Sequence, residues 1–358
     1  MIKKTFLILM GLLNIINGFS QSCLPYGIFF ATQAQIDSFQ VNYPNCYEIE
    51  GDVIINDSFT GNITNLFGLS EIRSIGGELI ISTNPSLTSF AGLENLCQIE
   101  NNLKIINNNA LTNLVGLDNI QSVGNYIDIT WNFGLIELTG FEALTAIGGG
   151  LHIGNNYVLS HLSGLENITS IGHDLTIIDN DALISLEGLS NLKTMGADIR
   201  IVDNDALVSL KGLDSINCNT IVDLTISMND QLSICNVQSI CNYLTNPNGQ
   251  VDINANAPGC HNQTEILNAC FNAFNKSNMM GHDYRIFLNP SSTQIVVKTP
   301  PINSQIYVFI YNMVGQKNFS QAITDQTTLI NICEYKQGIY LAILNNEFTS
   351  KSFKILKK

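Results

Sequence analysis

The hydrophobic positions of this chain recur every 24 residues over much of its length. A glycine marks each repeat, and counting it as position 0 puts apolar residues at +4, +7, +11, +13 and +19. Position +13 is isoleucine in six successive repeats, and position +16 is asparagine in the same six. The marking glycines are Gly68, Gly92, Gly116, Gly140, Gly164, Gly188 and Gly212. So many columns stay in register that the repeat is the strongest structural signal in the sequence.

The spacing of the apolar columns predicts the fold. Residues at +11 and +13 are two apart, so their side chains share one face of a strand. A single 24-residue coil cannot bury that face, whereas stacked coils can, with each strand parallel to the next at about 4.8 Å. Parallel connections are overwhelmingly right-handed. The prediction is an all-β dominated fold, a right-handed parallel β-solenoid in which Ile129, Ile153 and Ile177 stack in successive coils.

Two further columns are predicted to form the corners of the coils. Glycine at +8 indicates a position that needs either a positive φ or a close approach of two backbones. Asparagine at +16 can satisfy the backbone groups of its own turn and of the next coil, so its predicted role is structural. The glycines are Gly76, Gly124, Gly148, Gly172 and Gly196, and the asparagines are Asn84, Asn108, Asn132, Asn156, Asn180 and Asn204.

A solenoid needs ends that hide its core from water. Residues 32–46 predict an N-terminal cap helix with Thr32 as its N-cap and Ile36 and Phe39 facing inward. Residues 236–244 and 264–274 have apolar residues at helical spacing and predict a helical cap at the other end. The caps and the repeat together span residues 21–270.

The nine cysteines are an odd number, so at least one is not paired within the chain. Cys23 and Cys46 flank the first cap and are predicted to bond. Cys235, Cys241, Cys260 and Cys270 are predicted to form two bridges, by any of three pairings, with a zinc site as the alternative. The partners of Cys97, Cys218 and Cys333 are left open, although five coils at about 4.8 Å each separate Cys97 from Cys218 too far for a bond between them.

The N-terminus has the form of a secretory signal peptide over residues 1–20. Lys3 and Lys4 precede the apolar run Phe6–Ile16, and Gly18 and Ser20 are small residues before a cleavage site at Gln21. Lipidation at Cys23 is the alternative. No later run approaches the length of about 20 apolar residues that spans a bilayer, so no transmembrane segment is expected in the mature chain. Export would place the cysteines where disulfides persist.

Charge divides the chain into two parts. The 358 residues carry a formal net charge of -14. Residues 22–283 hold 27 acids and 6 bases, whereas residues 284–358 hold 3 acids and 8 bases. This change of sign predicts two separately built domains, and the acidic body would repel a phosphate backbone, which excludes nucleic acid as a partner.

The repeat pattern "GL..I..IG..L.I..N..L..L" resembles the receptor L-domain, the leucine-rich-like β-helix of insulin- and EGF-receptor ectodomains, and especially its bacterial relatives. The segment Phe29–Ile55 and the stretch "SICNVQSICNYLTNPNG" are similar to the two ends of that domain. The resemblance covers about Cys23 to Cys270. It implies a binding or display surface and no chemistry of catalysis.

The last 75 residues alternate apolar and polar positions between turn signals, which predicts a small antiparallel β-sandwich over 284–358. This segment resembles the C-terminal sorting domain of the type IX secretion system. The matching positions are Asn289, Pro290, Gly315, Lys317, Gly338 and Tyr340. The resemblance implies the type IX machinery as a partner, passage across an outer membrane, and removal of the tail in a linker at 271–283. The body would then be secreted or held at the outer-membrane surface.

The sequence shows no catalytic or cofactor motif: no nucleophile elbow, phosphate loop or His-Glu-x-x-His. We therefore expect no cofactor and no enzyme. Asp179, Asp181, Asp203 and Asp205 flank two of the column asparagines and could attract Ca²⁺ weakly, but two coils supply too few oxygens for a tight site. Solvated turn residues are the simpler interpretation.

The candidate ligand-binding residues are aromatic and lie at outward positions of two neighbouring coils: Tyr126, Trp131, Phe133, His152 and Tyr157. Unless the corner tucks them inward, such residues could stack on sugar rings or anchor a protein partner. The sequence thus predicts a secreted or surface-displayed, non-catalytic binding or adhesion protein with an unknown glycan or protein ligand. A structural surface-layer protein is the first alternative, and a β-helix polysaccharide lyase is the second.

Overall fold

The computed structural model describes residues 22–277, 284–289, 293–299, 306–345 and 350–357. The predicted signal peptide, residues 278–283 of the predicted linker and Pro290 lie outside the described residues. Most regular structure in the described chain is β-strand, arranged in two parallel sheets and two antiparallel ones. The all-β prediction is confirmed.

Each coil of the body contributes one strand to a long-strand sheet, which forms at positions +11 to +14 as predicted. Neighbouring strands are parallel and pair residues one repeat apart: Ile129 pairs with Ile153, and Ile153 pairs with Ile177. All three side chains are fully buried. The strands of this sheet are Ile28–Phe30, Val53–Ile55, Leu79–Ser82, Leu103–Ile106, Ile127–Thr130, Leu151–Gly154, Leu175–Ile178, Ile199–Val202, Leu224–Ser227 and Val251–Asn254.

A second parallel sheet, which the sequence did not predict, forms at positions +6 and +7. Its strands are only two residues long, and the +7 side chain of each points into the core. The two parallel sheets enclose a single apolar core that runs the length of the body. The short strands are Ser22–Cys23, Glu48–Ile49, Ser74–Ile75, Gln98–Ile99, Ser122–Val123, Ala146–Ile147, Ser170–Ile171 and Thr194–Met195.

The +8 glycines are needed because two backbones approach each other closely, and none has a positive φ. A Cβ built on Gly172 would lie 1.9 Å from the carbonyl oxygen of Gly148 in the preceding coil. Glycines with φ near 110° instead lie at position 0, as at Gly92 and Gly116. Of the two reasons predicted for the +8 column, only the close approach holds.

Helices close both ends of the solenoid. Gln33–Asp37 and Phe39–Asn42 form the N-terminal cap, where Thr32 is the N-cap and exchanges capping-box hydrogen bonds with Gln35. The predicted single helix is broken at Ser38, and Ile36 and Phe39 are buried as expected. Gln238–Thr245 and Gln263–Ser277 cap the other end, and short 3₁₀ turns lie at Phe67–Leu69, Glu187–Leu189 and Cys218–Thr220. The last helix includes residues 271–277, the first part of the predicted linker.

Three disulfides fasten these caps. Cys23 bonds Cys46, as predicted. Among the three pairings left open for the C-terminal cap, the structure has Cys235–Cys260 and Cys241–Cys270. The free cysteines are Cys97, Cys218 and Cys333. Each bridge closes a loop about one coil long and limits the freedom of an end that has only one neighbouring coil.

The C-terminal segment forms two antiparallel sheets, as predicted. A three-stranded sheet and a four-stranded sheet contribute side chains to one separate apolar core, including Ile295 and Val297 from the first and Val308 and Leu344 from the second. The first sheet consists of Arg285–Leu288, Gln294–Lys298 and Thr327–Asn331, and the second of Lys317–Ile323, Ile306–Asn312, Gly338–Asn345 and Ser350–Lys357.

Candidate binding surface

A continuous asparagine ladder builds one corner of the solenoid. The Asn156 side-chain oxygen accepts hydrogen bonds from the backbone N–H and the side-chain amide of Asn132, at 3.0 and 3.3 Å. The Asn156 side-chain NH₂ in turn donates to the carbonyl of Ile129 and to the side-chain oxygen of Asn180. Every asparagine of the +16 column is fully buried and bonded in this way. This confirms the structural role predicted for the column.

The residue just before each ladder asparagine adopts a left-handed backbone, because the chain must turn there to bring the asparagine inward. The φ values lie between 55° and 61° throughout this +15 column, in which one added residue shifts Met228 to +16. Asn and Asp tolerate that conformation better than other residues with a Cβ. The column contains Thr83, Asn107, Trp131, Asn155, Asp179, Asp203 and Met228. Trp131 is the bulkiest residue in it, with φ at 61°.

Trp131, Phe133 and Tyr157 form the aromatic corner. Phe133 and Tyr157 occupy the same position in successive coils, and their rings stack with centroids 5.3 Å apart and planes 12° from parallel. Trp131 meets Phe133 edge-on at 6.2 Å. The corner does not tuck these rings inward: Trp131 is 46%, Phe133 41% and Tyr157 42% exposed. The three rings are therefore a solvent-facing apolar patch on an acidic body.

The other two candidate residues lie apart from this corner. Tyr126 precedes the strand Ile127–Thr130, whereas Trp131 follows it, so five residues at about 3.3 Å each separate them along the strand. His152 lies in the next strand, and its Nδ1 is 3.3 Å from Oδ1 of Asp128. The five predicted residues therefore form two groups, one toward the start and one beyond the end of the strands of this sheet.

A shallow groove of about 600 Å³ follows the outer face of the long-strand sheet beside Tyr126 and His152. Asp174, Thr176 and Arg200 also line it. Sequence reasoning did not connect Arg200 with Tyr126. The connection was missed because the two residues are three coils apart and only the stacking of the sheet brings them into one groove.

The acidic residues beside the ladder lie together as predicted and repel one another. Partial burial and the neighbouring carboxylates of Asp205 and Asp179 raise the pKa of Asp181. Partial burial, a hydrogen bond with Asp179 and the other acids raise the pKa of Asp203. Asn155 donates to Asp179 at 2.8 Å. No group of three or more His, Cys, Asp and Glu side chains in the described part of the chain is arranged to hold a metal ion. The absence of a tight calcium site stays a prediction.

The positions that match the sorting domain fall mainly at turns. The Asn289 side-chain oxygen accepts from the backbone N–H of Thr293 and of Gln294, both at 3.0 Å. Gly315 has φ at 79° in the turn before Lys317, whose Nζ lies 5.9 Å from the Phe309 ring centroid. Gly338 begins a strand in which the Tyr340 hydroxyl donates to the Lys336 carbonyl at 2.9 Å. The described motif residues thus lie at turns and near strand starts in both sheets of the tail.

Comparison with known families matches residues 285–358 to the secretion system C-terminal sorting domain. The predicted type IX sorting domain is thereby confirmed, and it supports export of the protein to the outside or the surface of the cell with the tail removed. A search of the curated proteins finds no match to the chain. In the part of the chain that the structure describes, no helix combines the length and the apolar character needed to cross a membrane.

Proposed function

We propose that the solenoid body is a non-catalytic binding module of the receptor L-domain type, delivered to the cell surface or released by the sorting domain. The aromatic corner is its ligand contact. The observation that carries this proposal is Trp131, a large exposed ring at a left-handed position where the neighbouring coils have Asn or Asp. Strain of this kind persists where surrounding structure enforces it and is concentrated at functional sites.

The chemistry of the corner supports recognition. Tryptophan, tyrosine and phenylalanine supply large, rigid contact area, and such rings anchor both sugars and protein partners. The rings of Phe133 and Tyr157 already stack on each other. The corner is therefore organised before a ligand arrives, which lowers the cost of ordering side chains on binding.

Trp131 also provides the experiment, because it is the only tryptophan in the chain. We expect a bound ligand to shift its fluorescence, so a titration of the full chain against glycan and protein candidates reports on the corner directly. Trp131→Asn has no tryptophan fluorescence, so its affinity is measured by calorimetry, and the ligand found in this way should bind at least about tenfold more weakly. The free energy of unfolding should stay within about 1 kcal/mol, since relief of the left-handed strain offsets the lost ring contact.

Phe59→Asn is the matched control. Phe59 is 93% exposed and lies near the N-terminal cap, away from the corner, so its replacement should leave binding unchanged. Equal losses of affinity in both variants would indicate non-specific stickiness of exposed rings and contradict the proposal.

A further inference from the structure

A second hydrogen-bonded column lies at position +10, just before the start of each long strand, whereas the asparagine ladder lies beyond the strand ends. There an Asp or Asn side-chain oxygen accepts from the backbone N–H of the +10 residue in the next coil. This links the edges of successive coils, as the asparagine ladder does on the other side. The bonds run from Glu78 to Asp52, Tyr126 to Asn102, Asp198 to Asp174, Asp223 to Asp198 and Gln250 to Asp223, at 2.7 to 3.2 Å.

This column is interrupted at Glu78, which accepts from the side chain of Asn102 and not from its backbone N–H. It is interrupted again at two successive coils, where Tyr126 and Gly150 replace the Asp or Asn. Neither side chain can accept a hydrogen bond in that position. The backbone N–H groups of Gly150 and Asp174 accordingly have no acceptor among the described residues. Gly150 is buried, and an unpaired buried N–H costs free energy comparable to a lost hydrogen bond.

Glycine at 150 is what lets the Tyr126 ring lie across the gap. A Cβ at Gly150 would come within 2.6 Å of Cε1 of Tyr126. The ring extends over this coil as far as His173, with ring centroids 6.0 Å apart. The coil therefore has a notch in which the Tyr126 ring lies beside backbone N–H groups that have no acceptor among the described residues.

The groove beyond the notch offers further polar groups without partners. The Arg200 guanidinium has no ion pair or hydrogen bond with any described residue. Beside the groove, but not among the residues that line it, Oδ1 of Asp128 is buried and lacks a hydrogen bond, and it lies 3.3 Å from Nδ1 of the lining residue His152. The Asp174 N–H, the Arg200 guanidinium and the Tyr126 ring thus lie along one concave surface.

We infer that this groove is a saccharide subsite for an uncharged, hydroxyl-rich sugar. The inference goes beyond the proposed function, because this groove lies apart from the aromatic corner and contains none of its three rings. A sugar hydroxyl accepts from the Asp174 N–H in place of the missing Asp or Asn oxygen, the apolar face of the sugar stacks on Tyr126, and Arg200 donates to a hydroxyl further along. Pockets of this kind place a few convergent polar groups beside an aromatic wall.

The charges around the groove favour a neutral sugar over an acidic one. Asp174 lines the groove, Asp198 and Asp223 follow it in the same hydrogen-bonded column, and Asp128 lies beside His152. These carboxylates accept hydrogen bonds from hydroxyl groups but repel a uronate or a sulfate. A single unpaired arginine does not outweigh them in a body that holds 27 acids and 6 bases.

Calorimetry on the full chain tests the inference with neutral gluco- and manno-oligosaccharides and with oligogalacturonate as probes. We expect a neutral oligosaccharide to bind and oligogalacturonate not to. Tyr126→Asn removes the ring and supplies an acceptor for the Gly150 N–H, so affinity should fall by about tenfold or more while thermal stability is kept or raised. Tyr126→Phe keeps the ring and should bind within about threefold of the parent.

Gly150→Ala is a second variant, because its Cβ would meet the Tyr126 ring at 2.6 Å and the backbone carbonyl oxygen of the groove residue Asp174 at 2.9 Å. It should weaken neutral sugar binding as well. Binding of oligogalacturonate alone, or of no probe, overturns the assignment of a neutral saccharide. A neutral sugar that binds equally to the parent and to Tyr126→Asn overturns the groove as its site. Either result leaves the proposed function standing if a ligand still shifts Trp131 fluorescence, and that function fails separately if none does.

Discussion

The body and the tail of this chain are both β-structures, yet they are built on different principles. In the body each strand pairs with the strand one repeat earlier and one repeat later, always parallel and always in the same register. In the tail the strands are antiparallel, and Gln294–Lys298 pairs with Thr327–Asn331 more than 25 residues further along. All three disulfides lie in the body, and the two parts carry opposite net charge.

The difference teaches where each part obtains its stability. The body repeats one small solution many times, so each coil depends on its two neighbours and the ends need caps and bridges. The tail has a separate core of its own, including Ile295 and Val308, and needs no repetition. Because the two cores are separate, the tail can be removed after export without removing a structural part of the body.

The largest effect should follow from separating the two parts. Deletion of residues 284–358 should abolish delivery to the cell surface in the native host, since the sorting domain lies there. The body should still fold, because its caps and its core lie within residues 22–277. Cell fractionation with limited proteolysis of the retained protein measures both outcomes. Surface delivery of the truncated protein would show that the tail is not needed for export. Proteolysis of the retained body as an unfolded chain would show that the body needs the tail to fold.

The next largest effect should come from a charge placed in either core. Ile153→Asp buries an unpaired carboxylate in the middle of the solenoid and should cost more than about 4 kcal/mol, unfolding the body. Val308→Asp is its counterpart in the tail, where the side chain is equally buried. Hydrogen exchange followed along the chain should show protection lost from the body alone in the first variant and from the tail alone in the second. Loss of protection from both parts in either variant would show that they fold as one.

The sequence predicted the stacked core because the repeat itself states which residues become neighbours. Ile129, Ile153 and Ile177 need no further information to be placed one above the other. The short-strand sheet was missed because two-residue strands leave no alternation to detect. The pairing of Cys241 with Cys270 depends on how the cap helices cross, which spacing does not specify.

For the candidate surface, the sequence predicted which residue types lie on it but not how they are arranged. Aromatic residues at outward positions were visible, but the left-handed backbone of Trp131 appears only when the whole +15 column is seen to turn. The gap at Gly150 was hidden because a column of Asp and Asn looks like ordinary solvated turn residues until its hydrogen bonds are known. Interruptions of a repeat, rather than its consensus, mark the places to examine for function.

A smaller effect should distinguish a buried ladder residue of the body from its more exposed neighbour in the free energy of unfolding. Asn204 donates to the carbonyls of Ile177 and Val202 and accepts from Asn180, all in the buried ladder. Asn204→Ala leaves these groups unpaired and should cost about 3 kcal/mol. Asp203→Ala, one residue away, should change the free energy of unfolding by less than about 1 kcal/mol. Urea denaturation measures both, and equal costs would deny the ladder its structural role.

The smallest effect concerns the acids that distinguish the body from the tail. The pKa of Asp203 is raised in the folded state by partial burial and by Asp179, above its ordinary value of 3.8. Stability therefore rises as pH falls through the raised pKa, the gain is complete below 3.8, and it is lost again as pH increases.

Asp203→Asn removes this repulsion, so at neutral pH it should be more stable than the parent by up to about 0.5 kcal/mol, the scale of exposed charge pairs. Its stability should also depend less on pH between pH 3 and pH 6, roughly the range in which carboxyl groups titrate. Glu71→Gln removes one charge from an exposed site in an early coil and should leave the pH dependence as it is. Thermal unfolding across that pH range, in low and high salt, measures the difference. If Asp203→Asn kept the parent's pH dependence, the acids would be independent solvated turn residues. Of the residues at that corner, only the ladder asparagines would then contribute to the stability of those two coils.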